Sequence, residues 1–118
     1  MDQNLVVEEL NTFGKLDPNM QLQTMLVFLT VARRGQCTQK DIELELGLTN
    51  ASASRNVSYW TELKIWPKGE DEAIAGMGLI ERIEDPRDRR YKLLRLTPAG
   101  KKFYTKLRSI DGKSDQTK

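Results

Sequence analysis

The chain has 118 residues, with 19 Lys and Arg, 17 Asp and Glu, no His and one Cys, and 38% of it is hydrophobic. This length supplies one core, expected over residues 1–110, and the missing His removes the commonest general base, the commonest metal ligand and every Ser-His or Cys-His pair, which argues against an enzyme. With no internal disulfide available, no apolar run near the roughly 18 residues of a membrane span, and no signal-like segment after Met1-Asp2-Gln3-Asn4, a cytoplasmic domain without membrane, cofactor or metal is expected.

Residues 3–14 place Leu5, Val6, Leu10 and Phe13 at the spacing of a short amphipathic helix, ended by Gly14 and followed by a turn at Asp17-Pro18. Over 19–34, Leu22, Met25, Leu26, Leu29 and Ala32 recur at three- and four-residue intervals, and Phe28 and Val31 widen the stripe, as in a broadly buried helix. Arg33-Arg34-Gly35-Gln36 stops it, with cations in the last turn and Gly in the cap region.

Thr38 as N-cap, with Asp41 three residues on, opens a third helix. Ile42, Leu44, Leu46 and Leu48 alternate with period two, which is also a strand pattern. The caps and the pair Ile42 and Leu46 favour a helix ended by Gly47. Thr49 or Asn50 then caps a fourth helix reaching about Leu63, with Ala53, Val57 and Trp60 on one face.

Two helices joined by such a Gly-containing turn make a helix-turn-helix. Turning Ala53, Val57 and Trp60 inward sends Ala51, Ser52, Arg55, Ser58 and Tyr59 outward. The candidate DNA-binding residues here are Thr49, Asn50, Ser52, Ser54, Arg55, Ser58 and Tyr59. Small side chains let the backbone approach a groove, Ser and Asn donate to phosphates or base edges, and Arg55 addresses a guanine or a phosphate. An ordinary solvated helix face has the same composition.

Residues 64–77 are acidic; Pro67 and Gly69 suggest a loop, with a helical turn over 70–75. Trp60 and Trp66 are expected to pack the end of the fourth helix beneath this segment. Residues 79–84 and 91–96 alternate and flank the polar turn 85–90, which is a hairpin. Its Arg87, Arg89 and Arg90 make it a basic wing suited to a narrow minor groove. Thr97 caps a last helix with Pro98 at its first position and Phe103, Tyr104, Leu107 and Ile110 on its apolar side. A polar, disordered tail is expected over 111–118.

The small net charge of +2 is unevenly spread. Residues 1–81 hold 7 basic and 12 acidic residues, net −5, whereas 82–108 hold 10 basic and 3 acidic, net +7. A polyanion would use that excess, and clustered solvated charges would look the same.

The order of helix, helix-turn-helix, Gly78-Leu79-Ile80, Asp85-Pro86-Arg87-Asp88-Arg89-Arg90 and Leu96-Thr97-Pro98-Ala99-Gly100 resembles the winged-helix core of the multiple-antibiotic-resistance regulator (MarR) family, over roughly residues 20–108. The resemblance implies a mainly α winged helix-turn-helix with a small β-hairpin. It implies a cytoplasmic homodimeric transcription regulator, typically a repressor, that puts recognition helix 49–63 in the major groove of double-stranded DNA and wing 84–91 in the minor groove. By the same analogy Asp85 and Arg87 brace the wing, leaving Arg89 or Arg90 to reach the groove, and a small-molecule effector is a further expectation.

The sequence departs from that family at Glu43, where a small apolar residue is preferred, at Asn56, where an aliphatic one is usual, and in the inserted 64–77. The C-terminal helix is also short for the family, so a homodimer through 3–14 and 98–110 would be reduced, or Leu5, Val6, Leu10 and Phe13 would cover the monomer's own core. Loss of DNA binding, leaving a protein-protein interaction module, is the alternative function. Cys37 lies just before a helix and reads as an inert thiol, because no second Cys or His stands by to resolve or activate it. Asp41, Glu43 and Glu45 scatter over different helix faces rather than forming a cation site.

Overall fold

In a computed structural model, the backbone is described for residues 3–61, 64–65, 74–75 and 78–115, and side chains for 6–61, 78–88 and 90–108. Among the described residues, five helices and the strands of two small sheets succeed one another as α1 (Gln3–Leu16), α2 (Leu22–Arg34), β1 (Gln36–Cys37), α3 (Gln39–Leu46), α4 (Asn50–Trp60), β2 (Lys64–Ile65), β3 (Ile74–Ala75), β4 (Ile80–Asp85), β5 (Asp88–Leu96) and α5 (Pro98–Asp115). The architecture is the expected winged helix-turn-helix, mainly helical with a β-hairpin.

α2 is the hub. It buries Val27, Phe28 and Val31, and the core continues through Phe13, Ile42, Val57, Trp60, Ile80, Leu94 and Leu107. Phe28 meets Trp60 at 5.0 Å and Phe103 at 5.4 Å between ring centroids, joining α2, α4 and α5 in one aromatic cluster. The stripe on α2 is rotated from the sequence expectation: Leu22 and Leu26 are exposed, and Thr24 and Thr30 are buried in their place. Both threonines are accommodated through hydrogen bonds, Thr30 donating to the Leu26 carbonyl at 2.8 Å.

α1 runs through Gly14 to Leu16, because a single Gly weakens a helix without breaking it. The break comes at Asp17-Pro18, where the Asp17 carboxylate accepts from the Asn19 amide. Of the expected apolar face, Phe13 is buried in the core, Val6 and Leu10 stay 37% and 44% exposed, and the Leu5 side chain lies outside the described residues; the neighbouring Val7 is 54% exposed.

The caps of α3 are as read. Thr38 and Asp41 form a reciprocal capping box, and Gly47 takes the left-handed conformation at φ 65° that closes the helix. One strand beside the hairpin is not foreshadowed by any sequence pattern. Gln36–Cys37 adds a third strand, pairing Gln36 with Arg95 and Cys37 with Leu94, so the sheet order is β1-β5-β4. Two residues between a helix cap and an N-cap carry no period by which a strand is recognised.

α4 stops at Trp60 rather than Leu63, because the amides of Leu79 and Gly78 take the carbonyls of Trp60 and Thr61 at 3.0 and 3.2 Å. Ile74 and Ala75 are extended and pair with Ile65 and Lys64, so the helical turn expected over 70–75 is replaced at those two positions by strand. Pro67, Gly69 and Trp66 lie outside the described residues. Trp60 packs among Phe13, Phe28 and Tyr59. α5 continues to Asp115, past the point where a disordered tail was expected.

Candidate nucleic-acid interface

The recognition helix is anchored on the face that the sequence assigns inward. Ala53, Val57 and Trp60 are fully buried, and the Trp60 indole donates to the Thr24 carbonyl at 2.7 Å. Thr49 is the N-cap, its hydroxyl accepting from the Ser52 amide at 3.1 Å. Asn50 donates from Nδ2 to Glu43 at 3.2 Å, so the carboxylate that stands where a small apolar residue was expected ties α3 to the start of α4.

The outward residues do not form a uniform row of free donors. Arg55 is exposed and Ser54 half-buried. Ser52 donates to Gln23 of α2 at 2.9 Å, and Tyr59 donates to Asp17 at 2.6 Å; burial and that carboxylate push the phenol well above its ordinary pKa. Ser58 accepts from Arg82 of β4 at 3.2 Å. Four of the seven candidates on this helix, Asn50, Ser52, Ser58 and Tyr59, thus have partners on other elements, which sequence spacing does not disclose.

Asn56 is buried and saturated. Its Oδ1 accepts from Thr24 at 2.6 Å and its Nδ2 donates to the Ser52 carbonyl at 2.9 Å. A buried amide is tolerated where all its groups are paired, and this one fixes the register of α4 against α2.

The wing turn is tighter than the six-residue tip read from sequence. Pro86 and Arg87 alone connect the strands, Asp85 pairs with Asp88, and a bulge at Glu84/Asp85 absorbs the register shift. Asp85 is buried and accepts from the Arg87 amide at 2.9 Å and from its Nε at 3.5 Å, the brace that the family resemblance implied. Arg90 is not a free finger: it donates twice to Asp88, at 3.0 and 2.8 Å, and lies 5.9 Å over the Tyr91 ring. That contact holds the Asp88 carboxyl below its usual pKa. Lys92 pairs with Glu84 and Arg95 with Glu81, at 3.4 and 3.5 Å. The Arg89 side chain lies outside the described residues.

These wing pairs are surface contacts, with the Arg87 and Arg90 side chains 87% and 83% exposed, so a phosphate can compete for either cation. Arg82 also donates to Thr61 at 3.4 Å, placing a cation at the carbonyl end of α4. The wing is thereby tied to the recognition helix by two side-chain bonds besides the two backbone ones.

Two carboxylates of α3 are engaged structurally. Asp41 serves the capping box, and Glu45 binds Arg33 and Arg34, the latter at 2.9 Å, which lowers the Glu45 pKa. Cys37 is buried in β1, and burial first, then Asp41, pushes its thiol up to about 11. No helix among the described residues is long and apolar enough to cross a membrane.

No family model matches the sequence, and no curated protein matches it. Solved structures do. RV1404 from Mycobacterium tuberculosis aligns with a TM-score of 0.69 at 18% identity, over 95% of this chain and 67% of that one. A S. aureus MepR mutant bound to an oligodeoxyribonucleotide aligns at 0.70 and 22% identity, over 97% of this chain and 72% of that one. The fold is the MarR-type winged helix. A mutant MarR from E. coli complexed with operator DNA aligns at 0.62 and 15% identity, over 93% of this chain and 70% of that one. With 93–97% of this chain covered, the MarR-type likeness reaches into α1 and α5 as well as the winged core.

Proposed function

We propose that this protein is a cytoplasmic DNA-binding transcription regulator, acting as a repressor on double-stranded DNA. The observation that carries the reading is the pairing of a capped, firmly seated α4, whose outward side presents Arg55, with a basic hairpin bonded to its far end. α4 enters the major groove through Thr49, Asn50, Ser52, Ser54, Arg55, Ser58 and Tyr59, and Arg87, Arg89 and Arg90 address the adjacent minor groove. Exposed Val6, Val7 and Leu10 support a homodimer through residues 3–14 and 98–110, which would set two recognition helices on successive turns of DNA. An open groove lined by Glu8, Asn11, Thr12, Gly14, Lys15, Pro18 and Lys106 is the candidate place for a small-molecule effector.

Titration of the protein against genomic and random duplexes at several salt concentrations tests this. The expected result is binding that weakens steeply as salt rises, from neutralised phosphates. Absence of binding at low salt refutes it. The wing's own carboxylates, each holding a cation, favour a second reading in which the domain binds a protein; a stoichiometric protein complex indifferent to Arg87→Ala and Arg90→Ala would support that one.

A further inference from the structure

We propose that Gln23, on α2 and outside the helix-turn-helix, contacts DNA as a donor-only group, giving its Nε2 protons to acceptor atoms of a phosphodiester or of a guanine edge. The proposal rests on the DNA-binding reading above and adds to it a residue that the sequence did not single out.

The orientation of this amide follows from a chain of hydrogen bonds that begins at an atom with only one possible role. The Ser52 main-chain carbonyl can only accept, and what it accepts, at 2.9 Å, is Asn56 Nδ2. Asn56 Oδ1 must then face α2, where the Thr24 hydroxyl donates to it at 2.6 Å. The second Nδ2 proton is aimed at Gln23 Oε1, 3.5 Å away, and the Ser52 hydroxyl donates to the same oxygen at 2.9 Å. Flipping the Gln23 amide would set its NH2 against the Asn56 NH2, donor facing donor. Gln23 Oε1 therefore points inward with its acceptor capacity used, and Nε2 points away with two protons for which the described residues supply no acceptor.

Gln23 is exposed and lines a concavity of about 320 Å³ together with Ser52, Arg55 and Tyr59, so its free protons emerge beside the outward side of α4. A free glutamine reads adenine by accepting from N6 while donating to N7. Gln23 has no acceptor to spare, which excludes that bidentate pairing and leaves atoms that only accept: phosphate oxygens, or a base edge, of which guanine alone sets two acceptors, O6 and N7, side by side in the major groove.

The test compares the full-length protein with Gln23→Ala and Gln23→Glu in anisotropy titrations of fluorescein-labelled duplexes of varied sequence. Glutamate keeps an oxygen for Ser52 and Asn56 but has no protons to donate, so it separates the contact from the scaffold. Gln23→Ala should weaken binding by about three- to tenfold, the loss of an ordinary hydrogen bond. Gln23→Glu should weaken it further, with unchanged melting temperature, because a carboxylate now faces an acceptor. Equal losses on all duplexes identify phosphate as the acceptor; losses confined to one guanine position and abolished by 7-deazaguanine identify the base. If Gln23→Glu binds within twofold of wild type, the residue is merely a brace for Ser52 and the proposal is overturned. Failure of the wild-type protein to bind any duplex would instead refute the DNA-binding reading.

Discussion

Replacing Gly100 with Ala is expected to destabilise the protein even though it sits in a helix, where Ala is ordinarily the better residue. A Cβ at Gly100 would stand 2.0 Å from the Leu79 carbonyl oxygen and 2.9 Å from its carbon, whereas ordinary contact begins near 3.4 Å, so something must move by about 1.4 Å. The obstacle is backbone, and it is held: Leu79 O accepts from the Thr97 amide at 3.0 Å, Gly78 O accepts from the Thr97 hydroxyl at 2.7 Å, and that hydroxyl accepts from the Gly100 amide at 3.0 Å. Loosening that junction sacrifices bonds worth about 1 kcal/mol each, with overpacking of about 1–3 kcal/mol besides. The helix-propensity gain offsets at most about 1 kcal/mol. A net loss of about 2–4 kcal/mol should lower the melting temperature by roughly 8–16 °C. Gly14→Ala is the internal control, since nothing lies within 4 Å of its would-be Cβ and it is inside α1; it should gain about 0.5–1 kcal/mol. Thermal unfolding followed by circular dichroism measures both. If Gly100→Ala melts at or above wild type, the close approach of α5 to β4 is wrong.

Trp60→Phe removes a buried donor from the Thr24 carbonyl and leaves a void among Phe13, Phe28 and Tyr59, so denaturant titration should register a loss of about 2–4 kcal/mol. Cys37 should resist alkylation at pH 8 in the folded protein and react readily in denaturant. Its thiol pKa is raised from 9.0 to about 11, so its contribution to stability is complete below pH 9 and is lost as pH rises towards 11; a Cys37→Ala variant should lack that alkaline decline. Arg82→Met keeps the aliphatic stem but loses both bonds to α4. It should shift stability by less than about 1 kcal/mol while accelerating amide exchange in the wing; unchanged exchange would mean that Arg82 does not restrain it.

Local chemistry made much of this molecule legible in the sequence. The capping box at Thr38 and Asp41, the left-handed cap at Gly47, the N-cap at Thr49 and the Pro98 start of α5 each involve residues within four positions of one another, so their physics is contained in a short stretch of chain. The inward face of α4 follows equally from a 3.6-residue repeat, and the winged-helix order from the Gly78-Leu79-Ile80 and Leu96 to Gly100 segments.

Contacts between distant segments were decided only by the tertiary structure. The two-residue β1 exists because β5 offers an edge to pair with, and α4 ends at Trp60 because Gly78 and Leu79 arrive to take its carbonyls. The same holds for the interface. Sequence spacing turned Ser52, Ser58 and Tyr59 outward, yet Gln23, Arg82 and Asp17, 24 to 42 residues away in the chain, claim their hydroxyls. Periodicity specifies the direction in which a side chain leaves its helix; whether another element waits there with a donor or an acceptor depends on packing, and so does which polar groups remain free at the surface.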